Sequence, residues 1–124
     1  MNKTNALRKI IQKKINSIVK SYYRIADAKA DFPHSVYDFE SIDLGDIYRD
    51  DLILIIDLWG KGKDTTQIEE MADQIETMFN AVNLPGEEVL PTFYRISRKP
   101  IDDEDKTLIR RQLKFLIQNY SIGG

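Results

Sequence analysis

Apolar residues recur along this chain with two different periods, and the switches between them mark out its elements. Across 5–20, Leu7, Ile10, Ile11, Ile15, Ile18 and Val19 fall three, four and seven apart, the spacing of one helical face, while lysines fill the opposite face. Thr4 or Asn5 is placed to accept the first free backbone N–H groups as an N-cap. Residues 22–25 read as a short strand, with 26–31 as its polar exit. Pro33 disfavours helical geometry at Phe32, and 35–42 then alternates. Val36, Asp38, Glu40 and Ile42 share one side; Ser35, Tyr37, Phe39 and Ser41 share the other. The acidic segment 43–51, with Gly45, reads as a hairpin loop, long enough to suspect a function in it. Residues 52–59 are apolar on both faces over most of their length, which predicts a central strand covered on both sides. Asp57 is the exception and calls for a hydrogen-bonding partner at the sheet rim. Gly60 and Gly62 then end the strand in a turn.

The second helix carries its own start and stop signals. Thr66 followed by Glu69 fits a capping box, and Asp64 adds negative charge at the positive helix terminus. Ile68, Met71, Ala72, Ile75, Met78, Phe79 and Val82 follow at helical spacing, the methionines as core filling, until Asn83, Leu84, Pro85 and Gly86 stop it. Residues 92–97 and 108–120 are the last pair of elements, joined through the run Asp102, Asp103, Glu104, Asp105. In 108–120, Arg111, Leu113, Phe115, Ile117 and Asn119 alternate with Gln112, Lys114, Leu116 and Gln118, which favours a strand. A helix is the competing reading, because Leu108, Gln112, Phe115 and Asn119 also align; the need of 92–97 for an antiparallel partner decides for the strand. The order predicts a single α+β domain over 1–124: a mostly antiparallel sheet of four to five strands packed against two helices.

Composition narrows the function classes. A chain of 124 residues, 42% hydrophobic, can bury one domain core. With no cysteine, disulfides, thiolate metal sites and cysteine nucleophiles are excluded. The longest apolar run, 52–56, has strand length, and lysines interrupt every candidate signal region, so the expectation is a soluble protein of the cytoplasm with no membrane partner. The net charge of −2 conceals a polarity: Lys3, Arg8, Lys9, Lys13, Lys14, Lys20 and Arg24 sit in the first 26 residues without an acid, leaving the body with a net of −9. Such an arrangement suits assembly of unlike surfaces. It does not favour specific nucleic-acid binding, because the domain as a whole is acidic and no aromatics interleave with the basic face.

Candidate chemistry is sparse. The run 102–105 offers hard oxygen ligands, but consecutive carboxylates repel one another and the glycine and alternating spacing of a calcium loop are missing. A magnesium-dependent nuclease would need Asp50, Asp51, Asp57 or that run together with Lys61, or the same-face pair Asp38 and Glu40; an acidic strand produces such spacing by chance. His34 is the only histidine and fits a surface or strand-edge role. The segment 60–65 lacks the glycine and lysine spacing of a phosphate-binding loop. No catalytic, cofactor or metal residue is assigned.

Taken in order, the first helix, FPHSVYDFE, a loop, DLILIIDLWGK, the helix TTQIEEMADQIETMFNAV, and FYRISRKPIDDEDK leading to RRQLKFLIQNY resemble the tail-terminator (minor tail, tail-completion) proteins of long-tailed bacteriophages and prophages, from about residue 5 to 120. The resemblance implies a structural protein without catalysis. It would form a hexameric ring on the tail tube, stop tube polymerisation and present a surface to head-completion proteins, in the bacterial cytoplasm during assembly and then in the tail or neck of the virion. It also implies that the loops 43–51 and 102–105 make ring or tube contacts. The expected contact residues are Asp46, Arg49, Asp50, Asp51, Lys61, Lys63, Asp102, Asp103, Glu104 and Asp105, with tail-tube protein, head-completion protein and further copies of the chain as partners and a monomer at low concentration in isolation. The competing readings are a head–tail connector of the neck, a small non-viral α+β binding domain and a metal-dependent nuclease.

Overall fold

The computed structural model describes residues 3–42, 49–84 and 89–121. Its elements are α1 (Lys3–Asn16), β1 (Ser21–Tyr23), β2 (His34–Ile42), β3 (Arg49–Lys61), α2 (Thr66–Met78), β4 (Val82–Asn83), β5 (Val89–Pro100) and β6 (Leu108–Ser121). The fold is α+β, with one six-stranded sheet in the order β1-β2-β3-β6-β5-β4. Among the described residues only the β1–β2 pairing is parallel. The sheet has one strand more than the four to five expected, because β4 is a two-residue edge that no sequence period could announce. Residues 108–120 form a strand: β6 lies between β3 and β5 and pairs with both along most of its length.

Both helices lie on one face of the sheet, and the core is the space between. Leu7, Ile11 and Ile15 of α1 and Ile68, Ala72 and Ile75 of α2 meet Tyr37, Leu54, Ile56, Leu58, Phe93, Leu113, Phe115 and Ile117 of the strands, all at most 2% exposed. Phe79, just past α2, packs its ring 5.0 Å from Phe93 and 5.6 Å from Phe115. Met71 and Met78 fill the margin of this core, as their spacing indicated. A hydrogen-bonded chain ties α1 to the β1 edge. Tyr37 Oη donates to Gln12 Oε1 at 2.8 Å, Gln12 Nε2 donates to the Ser21 carbonyl at 2.7 Å, and the Ser21 N–H donates to Asn16 Oδ1 at 2.9 Å.

Three local expectations are corrected. Helix α1 begins at Lys3, so Thr4 and Asn5 lie inside its first turn rather than capping it. At α2 the N-cap is Thr65, with no side-chain cap bond; the Asp64 carboxylate instead accepts both the N–H and the hydroxyl of Thr66, at 2.9 and 2.7 Å. Glu69 turns away from the helix start to serve two arginines. The helix also stops at Met78, and Val82 belongs to β4, so the helical spacing ran one turn too far. Gly60 sets how closely α2 approaches the sheet: a Cβ there would stand 2.7 Å from Ile68 Cγ1.

The central strand β3 is not covered on both faces. Leu54, Ile56 and Leu58 are fully buried under the helices, whereas Ile53, Ile55, Asp57 and Trp59 point to the other face and are partly exposed. Its near-continuous hydrophobicity therefore reflects a sheet with one covered face and one apolar face left open.

Candidate assembly surface

Nine of the ten residues expected at contacts lie among the described residues, and they separate into two groups at opposite ends of the sheet. Lys61 closes β3, Lys63 follows it in the turn, and Asp102–Asp105 (residues 102–105) sit in the adjoining β5–β6 connection. Arg49, Asp50 and Asp51 open β3 at the other end, about 33–40 Å away from Lys61 along the strand at the usual rise per residue. Asp46 and the rest of 43–48 lie outside the described residues, as do the side chains of Arg49 and Asp50. Asp51 departs from the expectation of a surface carboxylate: it is only 4% exposed. Near it on the core face, Asn119 is buried with no hydrogen-bond partner for its side-chain amide among the described residues.

The acidic run is an ordered turn. Asp103 Oδ1 accepts the N–H of Asp105 at 2.9 Å, and Asp105 Oδ1 accepts both the N–H and the hydroxyl of Thr107, at 2.9 and 2.7 Å. The Thr107 carbonyl in turn accepts the N–H of Gly62 at 2.7 Å, which joins this turn to the one carrying Lys61 and Lys63. Gly62 has φ +106°, a conformation that glycine adopts without strain. The two Thr107 bonds hold the Asp105 carboxyl below its ordinary range, and the Thr66 bonds do the same for Asp64; both contributions exist above the ordinary carboxylate pKa and disappear as pH falls. Asp102, Glu104 and Asp105 point into solvent, while Asp103 is partly buried. The sequence named the carboxylates of this end, and the hydrogen bonds of Asp103 and Asp105 that shape the turn are visible only in the structure.

What the sequence did not reveal is the open sheet face. The registers place its side chains in rows across β2, β3, β6 and β5: Val36–Asp57–Gln112–Lys99, Asp38–Ile55–Lys114–Ser97 and Glu40–Ile53–Leu116–Tyr94, with His34–Trp59–Arg110 at one end. Tyr94 and Ile96 are 40% and 49% exposed. Asp57 accepts from Arg110 Nε and Nη2, both at 3.1 Å, and from Gln112 Nε2 at 3.2 Å, while the Arg110 guanidinium lies 4.9 Å from the Trp59 ring centre. The expected partner for Asp57 exists, but within the open face and not at a rim. His34 is buried rather than at the surface: its Nδ1 donates to the Asp31 carbonyl at 3.0 Å, and the rings of Phe32 and Tyr22 pack at 4.9 and 6.0 Å.

A second cluster, on the helix side, holds charge in place. Arg98 Nη1 donates to Asp73 at 2.6 Å and Glu76 at 2.8 Å, and Nη2 donates to Glu69 at 2.7 Å. Arg111 Nε takes the other Glu69 oxygen at 2.6 Å, and Arg95 pairs with Glu76. Burial works against the charge on Arg98, but the Asp73, Glu76 and Glu69 carboxylates outweigh it and raise its pKa. Two arginines three apart reach the same face because the ladder slips by one residue between Arg95 and Ser97, leaving Ile96 bulged. Among the described residues no three His, Asp or Glu side chains are placed to hold a metal, and no helix is long and apolar enough to cross a membrane.

The fold has a counterpart among solved structures. A chain in the structure titled "Virion of native gene transfer agent (GTA) particle" superposes with a TM-score of 0.79 over 95% of this chain and 97% of that one, at 10% sequence identity. At that identity the likeness is one of fold. No protein-family model and no curated protein sequence matches the chain.

Proposed function

We propose that this chain is a structural, non-catalytic component of a phage-derived particle, and that it acts as a tail terminator: a ring of copies seated on the end of the tail tube, which stops tube growth and offers its far side to head-completion protein. The observation that carries this reading is the end-to-end likeness in fold to a chain of a gene transfer agent virion. The distribution of charge supports it. A cap must meet different neighbours above and below, and the charged residues expected at contacts fall at the two ends of the sheet, with the Lys61, Lys63 and 102–105 group held in shape by its own hydrogen bonds. Assembly then takes place in the bacterial cytoplasm and the finished ring resides in the tail or neck. A neck connector is the neighbouring reading, since it too has two different faces.

Negative-stain microscopy of the protein mixed with purified tail tubes tests the assignment. The expected result is a cap at one end of each tube, lost when Lys61 and Lys63 are both replaced by Glu. Tubes left bare at both ends, with the protein bound to neck complexes instead, would assign it to the connector; no binding to either would remove the structural role.

A further inference from the structure

We propose that the open face of the sheet is a self-association surface, on which two copies of this chain pair face to face about a two-fold axis parallel to the strands. The proposal stands on the layout of that face and is independent of the ring.

Its centre is apolar. Ile53, Ile55, Leu116 and Val36 are partly exposed, Tyr94 and Ile96 more so, and none of them belongs to the helix-covered core. Its two sides carry opposite charge: Asp38 and Glu40 on β2, and Lys114 and Lys99 on β6 and β5. Glu40, Lys99 and Lys114 have no ion pair among the described residues, and Asp38 has only the exposed Arg24 at 3.8 Å. The face is therefore acidic on one side, basic on the other and apolar between.

Two such faces stack in two symmetric ways. A two-fold along the strands lays β2 of one copy over β5 of the other, so Asp38 lies over Ser97 of its partner copy, flanked by Lys99 and Lys114. In the same arrangement Ile53 meets Leu116, and Trp59 meets Arg110. A two-fold across the strands lays β2 on β2 and sets acid against acid. Charge complementarity selects the first. Strand addition at the edges is disfavoured by contrast: the Asp38 carboxylate already accepts the outward N–H of Phe39 at 2.8 Å, and Pro91, which has no N–H, faces the β4 edge with its carbonyl. From strand spacing and rise, four strands by the four rows named above cover about 500 Å² per copy, or about 1,000 Å² in all. That is the lower limit of specific interfaces, so the pair forms in the micromolar range and a dilute sample is monomeric.

Sedimentation velocity on the full chain over a micromolar concentration series reads the equilibrium directly. The expected result is a monomer–dimer transition weakened at least about tenfold by Lys99→Glu with Lys114→Glu, and regained when Asp38→Lys and Glu40→Lys are added to the same chain. Thermal melts confirm that each variant is folded. Because the sequence has no cysteine, chains carrying Ile53→Cys and Leu116→Cys can be mixed and joined by a bis-maleimide that spans the sheet separation of about 10 Å. The mixed product should exceed either self-product. A monomer at every concentration, a dimer indifferent to the reversals, a quadruple variant that stays monomeric, or a cross-link without preference would each overturn the proposal. So would occupation of the face by tail-tube protein alone.

Discussion

At Gly60 a single missing methyl group decides how near a helix comes to a sheet. The space a Cβ would need is held by Ile68 Cγ1 and Cδ1, at 2.7 and 2.8 Å, so Gly60→Ala forces α2 outward or Ile68 out of its rotamer. We expect a loss of about 1–3 kcal/mol in urea denaturation, and partial recovery on adding Ile68→Val. Tyr37 poses a different question, one of protons. Burial raises its pKa above the ordinary tyrosine value of 10.0, with Arg8 opposing through a hydrogen bond and its charge. The folded state then holds the phenolic proton more tightly than the unfolded chain. Its contribution is complete below about pH 10 and fades as pH rises through the folded value. Tyr37→Phe should therefore cost about 1 kcal/mol at neutral pH, from the lost bond to Gln12, and flatten the alkaline decline in melting temperature.

At the scale of elements, the contact between α2 and β5 rests on ion pairs of unequal exposure. Glu76 is 8% exposed and held by Arg98 and Arg95, so Arg98→Met leaves it under-compensated and should cost about 2–4 kcal/mol. Asp73 shares the same guanidinium but lies in solvent, and Asp73→Ala should change stability by less than about 0.5 kcal/mol. Double-mutant cycles would separate the two. None of this could be read from the sequence, because Arg95 and Arg98 stand on the same face only through the bulge at Ile96, and a one-residue slip in a ladder leaves no periodic trace. The strands β2 and β6 were legible because side chains alternate where one face is buried, and β3 because its apolar run has strand length. The open face was not: Ile53, Ile55 and Leu116 are as hydrophobic as core residues, so composition alone assigns them a cover. The charged ends were half legible. Their residues could be named, but neither the ordering of 102–107 by Asp103 and Asp105 nor the burial of Asp51 shows in a list of carboxylates.

For the molecule as a whole, the sheet order matters as much as its faces. The central pair is β3 and β6; 46 residues lie between their nearest paired positions, Lys61 and Leu108, and 70 between their farthest, Arg49 and Tyr120. Such non-local pairing predicts slow, cooperative folding, checked by stopped-flow refolding that shows one main phase well slower than helical bundles of this size. It also sets a clock on synthesis. When Pro100 leaves the ribosome, the β2–β3 hairpin and β5 both exist as sequence, but nothing yet stands between them. Leu54, Ile56 and Phe93 lack their cross-strand neighbours Phe115, Leu113 and Ile117 until β6 slides in. A nascent chain must therefore wait, its sheet divided and its core edges exposed, for β6. A chain ended before Leu108 should be recovered as an unfolded, protease-sensitive species rather than as a smaller working domain.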